Sequence, residues 1–261
     1  MSELEVIVTR DGHRVVRDAE HDELMHPFGP RLEAESLYVG PAHIATRLAD
    51  GPLTVFDAGL GAGTNAIAAW RAARGQTGLR LVSFDLTLDA LALVLREAPA
   101  DFGFEDDADR AAAKALVDHH SYEDPRGAWR FVRGDLPDTL TTPGAQADVV
   151  FWDPYAPQAN PSLWNVAAFT ALRAVCAARA TVHTYAAGTS VRAAMILAGF
   201  AVGRGPSVGT KSETTIAAVD PADLEAPLDR RWYERWRRSS NPLPPDANTD
   251  ANDRIHAAFE R

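Results

Sequence analysis

The sequence predicts a doubly wound α/β fold whose sheet is mostly parallel and ends in a C-terminal antiparallel strand. Short apolar runs alternate with helix-forming segments from residue 51 onward, as in folds built from β–α–β units. Aspartates follow four of these runs, at the edge where open parallel sheets bind ligands. The length of 261 residues suits one such domain with additions.

The composition favours a packed cytoplasmic protein. Hydrophobic residues make up 46% of the chain, and no apolar run reaches the roughly 18 residues that a membrane span needs. Cys176 is the only cysteine, and the acidic N-terminus lacks the shape of a signal peptide, so we expect a cytoplasmic location. Because the net charge is −10, a nucleic-acid partner would need a local basic patch. The sequence does not indicate an oligomeric state.

We expect three parts along the chain. Residues 1–50 form an N-terminal extension, with a hairpin turning at Asp11-Gly12, a loop-like stretch and two helical pieces. This extension either covers the opening of a substrate site or has a purely structural role before the domain. Residues 51–220 form the α/β domain. Residues 221–261 form a tail in which residues 230–238 are basic and aromatic, typical of either a nucleic-acid contact or a solvated amphipathic helix.

Residues 101–128 are predicted to be an insertion in the α/β domain. A helix is expected over residues 108–120, followed by a loop over residues 121–127. His119 and His120 are adjacent, so they cannot share one helix face, and neither has Cys or His partners at ligand spacing. We therefore predict no metal site.

A glycine-rich turn begins the α/β domain. The apolar strand that starts at Thr54 ends at Asp57, and glycines follow at alternate positions: Gly59, Gly61 and Gly63. Glycines let the backbone approach a ligand without Cβ clashes, and the following helix presents free N–H groups. A dinucleotide fingerprint would need glycine at residue 64, where the chain has threonine. The alternative is an ordinary β–α turn.

The pattern Asp-x-Gly-x-Gly-x-Gly resembles motif I of class I S-adenosylmethionine-dependent methyltransferases. The resemblance implies a Rossmann-like methyltransferase sheet, with the glycine loop against the methionine part of the cofactor. A carboxylate that ends the next strand would hold the ribose hydroxyls, and Asp85 lies 22 residues beyond Gly63. Asp135, after a later strand, would reach the adenine amino group, or else is a turn or N-cap residue. Asp57, Asp85, Asp135 and Asp153 should then share one cleft.

The chemical centre is expected at Asp153-Pro154-Tyr155. This tripeptide resembles the (Asp/Asn)-Pro-Pro-(Tyr/Phe) signature of methyltransferases that act on amino nitrogens, although a strand-ending Asp-Pro turn is the alternative. The carboxylate could accept a hydrogen bond from a substrate N–H while the aromatic ring packs on the substrate. An aliphatic amine has a pKa of about 10 and a free aspartate about 4, so Asp153 should orient the amine rather than act as a strong base.

The wider stretch Asp153–Trp164 closely resembles a segment of the MnmC-type tRNA 5-methylaminomethyl-2-thiouridine methyltransferases. Further similarity lies in the loop from Gly59 to Asn65, in Gly134-Asp135, and in Gly209 to Glu213, so that the resemblance covers roughly residues 20–220. It implies S-adenosylmethionine as cofactor and tRNA modification as function, by methylation of the aminomethyl group of a wobble uridine.

The resemblance also implies roles for individual residues. Asp153 and Tyr155 would be catalytic, and the cofactor would be bound by Asp57, Gly59, Gly61, Gly63, Asn65, Asp85 and Asp135. Substrate contacts would come from Tyr38, Trp164, Lys211 and Glu213. Gln158 and Ser212 stand where the family usually has basic residues. Two alternatives therefore stay open: a methyltransferase acting on a small-molecule amine or protein nitrogen, and a non-catalytic tRNA-binding domain.

Overall fold

The computed structural model describes residues 3–209 and 213–260. Within them the strands are β1 Leu4–Val8, β2 Arg14–Asp18, β3 Glu23–Met25, β4 Leu53–Ala58, β5 Leu79–Asp85, β6 Ser121–Asp124, β7 Gly127–Arg133, β8 Ala147–Trp152, β9 Cys176–Thr184, β10 Ala201–Gly205 and β11 Thr214–Ala218. The α-helices are α1 Pro30–Glu33, α2 Ile44–Asp50, α3 Thr64–Ala72, α4 Asp89–Glu97, α5 Asp107–His119, α6 Val166–Ala174, α7 Thr189–Leu197, α8 Arg230–Trp236 and α9 Ala251–Ala258. A π-helical segment, Ala34–Val39, continues α1, and short 3₁₀ turns lie at Pro99–Phe102, Asp138–Thr141, Pro161–Leu163 and Pro221–Asp223.

The described residues form two sheets. β1, β2 and β3 make a small antiparallel sheet, and the central sheet has the strand order β10-β11-β9-β8-β4-β5-β7-β6. The pairs from β9 to β7 are parallel, whereas β10, β11 and β6 pair antiparallel with their neighbours. This confirms the predicted mostly parallel sheet with a C-terminal antiparallel strand. The chain runs from β4 outward to β7 and then returns to β8 on the other side of β4, which opens a crevice at the carboxyl ends of these strands.

Both faces of the central sheet are buried. Val55 and Phe56 are adjacent in β4, point to opposite faces, and are each 0% exposed. Val55 belongs to the apolar cluster that includes Trp70 and Trp129, whereas Phe56 belongs to the cluster that includes Trp152. Continuous apolar runs are typical of parallel strands covered by helices on both sides, which explains why β4 and β8 were apparent from sequence.

Two segments expected to be loops contain strands. β3 lies in the loop-like stretch of the N-terminal extension and pairs with β2, and β6 lies in the expected loop of residues 121–127 and pairs with β7. Both strands are only three or four residues long and lack an apolar run, so they depend on pairing with a neighbouring strand.

None of the described helices is long and apolar enough to cross a membrane.

The C-terminal tail packs on the α/β domain. In α8 the aromatic residues Trp232, Tyr233 and Trp236 are buried in the same apolar cluster as Phe56, and the arginines are exposed. Ile255 of α9 joins this cluster. The segment of residues 230–238 is therefore amphipathic, and its arginines form an outward basic surface on an acidic protein.

Candidate active site

A cavity of about 510 Å³ opens at the carboxyl ends of β4, β5, β7 and β8, within the size range of small-molecule sites. Its wall holds six carboxylates and two imidazoles: Asp18, Glu23, Glu33, Asp85, Asp135 and Asp153, with His21 and His26. None of the described lining residues is lysine or arginine. Such a wall gives the cavity a negative potential that favours cationic ligands.

The glycine loop after β4 approaches the end of β8 closely. Gly59 has φ +90°, and a Cβ there would lie 2.7 Å from the carbonyl oxygen of Asp153. Gly61 has φ +49°, lines the cavity, and donates its N–H to Asp85 Oδ2 at 2.8 Å. Only glycine allows both this backbone and this contact between strand ends. A Cβ at Gly63 would lie 2.9 Å from Leu91, and Gly63 is not among the residues that line the cavity, so a cofactor contact there stays a prediction.

Asp85 closes the opposite side of the loop at the end of β5. Its two oxygens accept the backbone N–H groups of Gly61 and Leu86, at 2.8 and 2.7 Å. Burial raises the pKa of this carboxyl, and these backbone donors work in the opposite direction. Asp135 lines the cavity after β7, as expected. Three of the four strand-end aspartates thus share one cleft.

Asp57 lies behind the glycine loop instead of in the cleft. Its side chain is 1% exposed, and one oxygen accepts the Ser83 hydroxyl at 2.8 Å. Burial raises the pKa of Asp57 to about 8. Asp57 is not among the residues that line the cavity, and a direct cofactor contact by this carboxyl stays a prediction.

Asp153 is held at the centre of the cleft by residues from two other elements. Tyr38 donates its hydroxyl to Oδ1 at 2.5 Å, and Asn65 donates its side-chain amide to Oδ2 at 2.7 Å. Neither Tyr38 nor Asn65 is among the residues that line the cavity, and both side chains are buried. The structure shows that they hold Asp153, and their expected contacts with substrate and cofactor stay predictions.

Tyr155 lines the cavity and is tied to the N-terminal extension. Its hydroxyl donates to Asp18 Oδ2 at 2.6 Å, and burial raises its pKa above the usual value. Asp18, at the end of β2, also contacts the His21 ring nitrogen Nδ1 at 2.9 Å. This link places the small N-terminal sheet against the cleft, and a role of that segment in covering a substrate mouth stays a prediction.

Two of the expected substrate residues do not line the cavity. Trp164 is 3% exposed and donates its indole N–H to the Tyr155 carbonyl at 2.8 Å, so it supports the loop from within the core. Glu213 pairs with the buried Arg192 at 2.8 Å and with Arg204. Substrate contacts by these two residues stay predictions. Lys211 lies outside the described residues.

Sequence reasoning missed the cavity residues of the N-terminal extension: Asp18, His21, Glu23, His26 and Glu33. Tyr185, after β9, was also missed; it lines the cavity and donates its hydroxyl to the Pro154 carbonyl at 3.0 Å. The available signal was the concentration of acidic residues and histidines between positions 18 and 26, which has no motif spacing.

Within the described residues, no group of three or more His, Cys, Asp or Glu side chains is arranged to hold a metal ion.

The cleft fits S-adenosylmethionine in three respects. The cationic sulfonium and amino groups suit a wall to which the described residues contribute six carboxylates and no lysine or arginine. Gly61 presents its backbone to the cavity at φ +49°, so no side chain of this residue separates the loop from a ligand. Asp85 and Asp135 are carboxylate acceptors on neighbouring strand ends, where open α/β sheets bind nucleosides.

Comparisons with known proteins agree with this geometry. Residues 112–220 match a family described as S-adenosyl-L-methionine-dependent methyltransferase. The bifunctional tRNA 5-methylaminomethyl-2-thiouridine biosynthesis protein MnmC of Burkholderia vietnamiensis is 30% identical over 203 residues, 73% of this chain and 30% of that protein. The protein of the same name from Ectopseudomonas mendocina is 31% identical over 201 residues, 72% of this chain and 30% of that protein. The chain thus spans about a third of the length of these relatives.

A solved structure shares the whole fold. The crystal structure of MnmC2 from Aquifex aeolicus superposes with a TM-score of 0.76 at 20% identity, covering 98% of this chain and 86% of that one. Sheet order, glycine loop and cleft define a class I methyltransferase. The chain belongs to the S-adenosylmethionine-dependent methyltransferases, and the resemblance to MnmC-type members is confirmed. S-adenosylmethionine is accordingly its cofactor.

Proposed function

We propose that this methyltransferase acts on the aminomethyl group of a modified wobble uridine in tRNA. Two relatives whose name describes tRNA 5-methylaminomethyl-2-thiouridine biosynthesis are 30% and 31% identical to it in sequence, over 73% and 72% of this chain. The observation that carries the proposal is the position of Asp153, which is fixed by Tyr38 and Asn65 beside the glycine loop. A carboxylate held in this way can direct an amine nitrogen.

The cofactor residues follow from the cleft. The backbone of Gly59 and Gly61 would lie along the methionine part, Asp85 would accept the ribose hydroxyls, and Asp135 would accept the adenine amino group. When bound, S-adenosylmethionine supplies a methyl group on a sulfonium, ready for transfer to a nucleophile. The division of the chain into an N-terminal cover, a catalytic domain and a C-terminal tail is part of the same proposal.

Asp153 orients the acceptor amine. Tyr38 and Asn65 bind different oxygens of this carboxylate, so the two donors fix its plane as well as its position. Because both donors hold the carboxylate in one position, the nitrogen it binds is also held in one position, and orientation of this kind contributes several kcal/mol to a transfer reaction. Tyr155 walls the cavity, and its tie to Asp18 keeps the ring in place.

The charge of the cavity restricts what can enter it. Six carboxylates favour an ammonium and disfavour a phosphate, so a tRNA would insert its modified base while its backbone stays outside. The exposed arginines of α8 are the local basic surface available for such a backbone, as a second part of the proposal. The same acidity favours one other candidate function, methylation of a small-molecule amine.

Label transfer separates the two candidates. Purified protein is incubated with methyl-labelled S-adenosylmethionine and tRNA from cells with or without this protein, and small amines are supplied in parallel. The proposal expects label in a wobble uridine of the tRNA from cells lacking the protein, and little label in tRNA that is already methylated. Label in small amines alone would assign the second function.

A further inference from the structure

His26 enters the cavity directly after β3, in a stretch where the sequence indicated no site residue. Its backbone has φ 57°, and its carbonyl accepts the N–H of Gly29 at 3.1 Å, so a tight turn presents the imidazole. The side chain is 8% exposed and lines the cavity. Its Nε2 lies 3.7 Å from Oδ2 of Asp153, the carboxylate that orients the acceptor amine in the proposed function.

An amine that binds in this cavity has to lose a proton before it can react. An aliphatic amine with a pKa of about 10 is almost entirely ammonium at pH 7, and an ammonium has no lone pair. The six carboxylates of the wall favour that charged form further. The cavity that attracts the amine therefore also opposes its deprotonation.

An imidazole is a better proton acceptor here than a carboxylate. With reference pKa values of about 6.5 and about 4, histidine takes a proton from an amine roughly three-hundredfold more readily than aspartate does. Of the two described histidines in the wall, His21 is bound to Asp18 and its side chain is 45% exposed. His26 is the one beside Asp153.

We propose that His26 is the proton acceptor for the substrate ammonium, an inference that rests on the proposed function. The proton passes from the substrate nitrogen to Nε2 of His26, and the N–H bonding pair stays on nitrogen as the lone pair. The products are a neutral amine and an imidazolium, which Asp153 stabilises at 3.7 Å. The imidazolium afterwards returns its proton to solvent through the open side of the cavity.

The other groups around the cleft support a positive charge on His26. Glu33 is the last residue of α1 and accepts the Phe28 N–H at 2.7 Å, and Glu23 lies on β3; both line the cavity. Burial raises the pKa values of Tyr38 and Tyr185 above their usual range, so both hydroxyls stay neutral. Among the described residues, the charged groups that line this wall beside His26 are carboxylates, which stabilise an imidazolium against the cost of burying it.

The first test needs no acceptor substrate. The ¹H–¹³C NMR signals of the histidine rings are followed from pH 5 to pH 9 in the wild type and in Asp153→Asn, with His26→Gln to assign the His26 signal. The proposal expects the His26 ring to titrate within this range and its midpoint to fall by about one unit or more in Asp153→Asn. A ring that stays neutral down to pH 5 would overturn the proposal.

The second test compares wild type and His26→Gln by the pH profile of methyl transfer to tRNA from cells lacking this protein. For His26→Gln we expect kcat about a hundredfold below wild type at pH 7, with the difference shrinking to a few-fold near pH 10, where the amine deprotonates without help. His119→Gln, at an exposed histidine on α5, is the matched control and should follow the wild type.

The outcomes separate the proposals. A loss of kcat that is equal at every pH would mean that His26 is merely structural, and no loss at all would also refute its role. If the wild type transfers no methyl group to tRNA, the proposed function fails, and the NMR titration still decides whether His26 can take up a proton.

Discussion

Replacing Asp57 by asparagine tests the electrostatic cost of a carboxyl group buried beneath the glycine loop. One oxygen of Asp57 accepts the Ser83 hydroxyl, whereas Oδ1 has no hydrogen-bond partner among the described residues. Burial is the main cause that raises the pKa of Asp57 from 3.8 to about 8, and the charges of Asp153 and Asp85 add to it.

The sign of the pH dependence follows from proton counting. In the unfolded chain Asp57 loses its proton near pH 4, whereas in the folded protein it keeps the proton until about pH 8. Between these values the folded state binds more protons, so stability falls as the pH rises. At 1.36 kcal/mol per pKa unit, the loss from this one group is on the order of 5 kcal/mol.

Urea unfolding at pH 5, 7 and 9 measures this effect. Relative to wild type, Asp57→Asn should gain several kcal/mol between pH 5 and pH 9, on top of a constant offset from the unpaired amide. His183, whose pKa burial lowers to about 3, destabilises both proteins alike at low pH and cancels in the difference. Asp138→Asn, at an exposed position, should show no such gain. A constant difference between Asp57→Asn and wild type at all three pH values would refute the reasoning.

Three further substitutions test packing and geometry. Tyr38→Phe removes the hydroxyl that donates to Asp153. Because a hydrogen bond to a charged group is lost, kcat should fall about ten- to a hundredfold while the Kd of the cofactor stays unchanged. An unchanged kcat in steady-state kinetics would contradict this role. Asp109→Ala removes a fully buried carboxylate that pairs with Arg74 and Arg126. The free energy of unfolding measured in urea should fall by about 3 kcal/mol, because both arginines lose a buried partner. A fall below about 1 kcal/mol would contradict a buried ion network. Gly59→Ala forces a Cβ to within 2.7 Å of the Asp153 carbonyl at positive φ, so both the melting temperature and kcat should fall, and a variant with wild-type values of both would show that the strand ends tolerate the change.

Local patterns were enough to predict the centre of the fold. The strand β4, the glycine loop and α3 are adjacent in sequence, and their apolar run and glycine spacing reflect burial on both sheet faces and positive φ angles. The same applies to Asp85, Asp135 and Asp153, because a residue that ends a parallel strand must lie at the ligand edge of the sheet.

The residues that surround the cleft could not be predicted from local sequence patterns. The contact between Asp18 and Tyr155 joins residues 137 positions apart, and no local pattern records such a pair. β3, which leads to His26, is held by pairing with β2 rather than by its own propensity. Sequence therefore did not reveal that the N-terminal extension supplies half of the acidic wall.

Residue identity also did not determine which way a side chain faces. Asn65 was expected at the cofactor, but as the second residue of α3 it turns back toward Asp153. Trp164 was expected at the substrate, but its ring fills the core and its N–H meets the Tyr155 carbonyl. In both cases the motif identified the residue and the three-dimensional structure decided its role.

The carboxylate of Asp153 is proposed to direct an amine in a cleft that holds S-adenosylmethionine. Wild type and Asp153→Ala are compared by calorimetric titration with the cofactor and by label transfer to tRNA from cells lacking the protein, with circular dichroism to establish folding. We expect a cofactor Kd within about threefold of wild type and transfer lowered at least a hundredfold. Retained transfer, or lost cofactor binding in a folded variant, would show that Asp153 does not have this role.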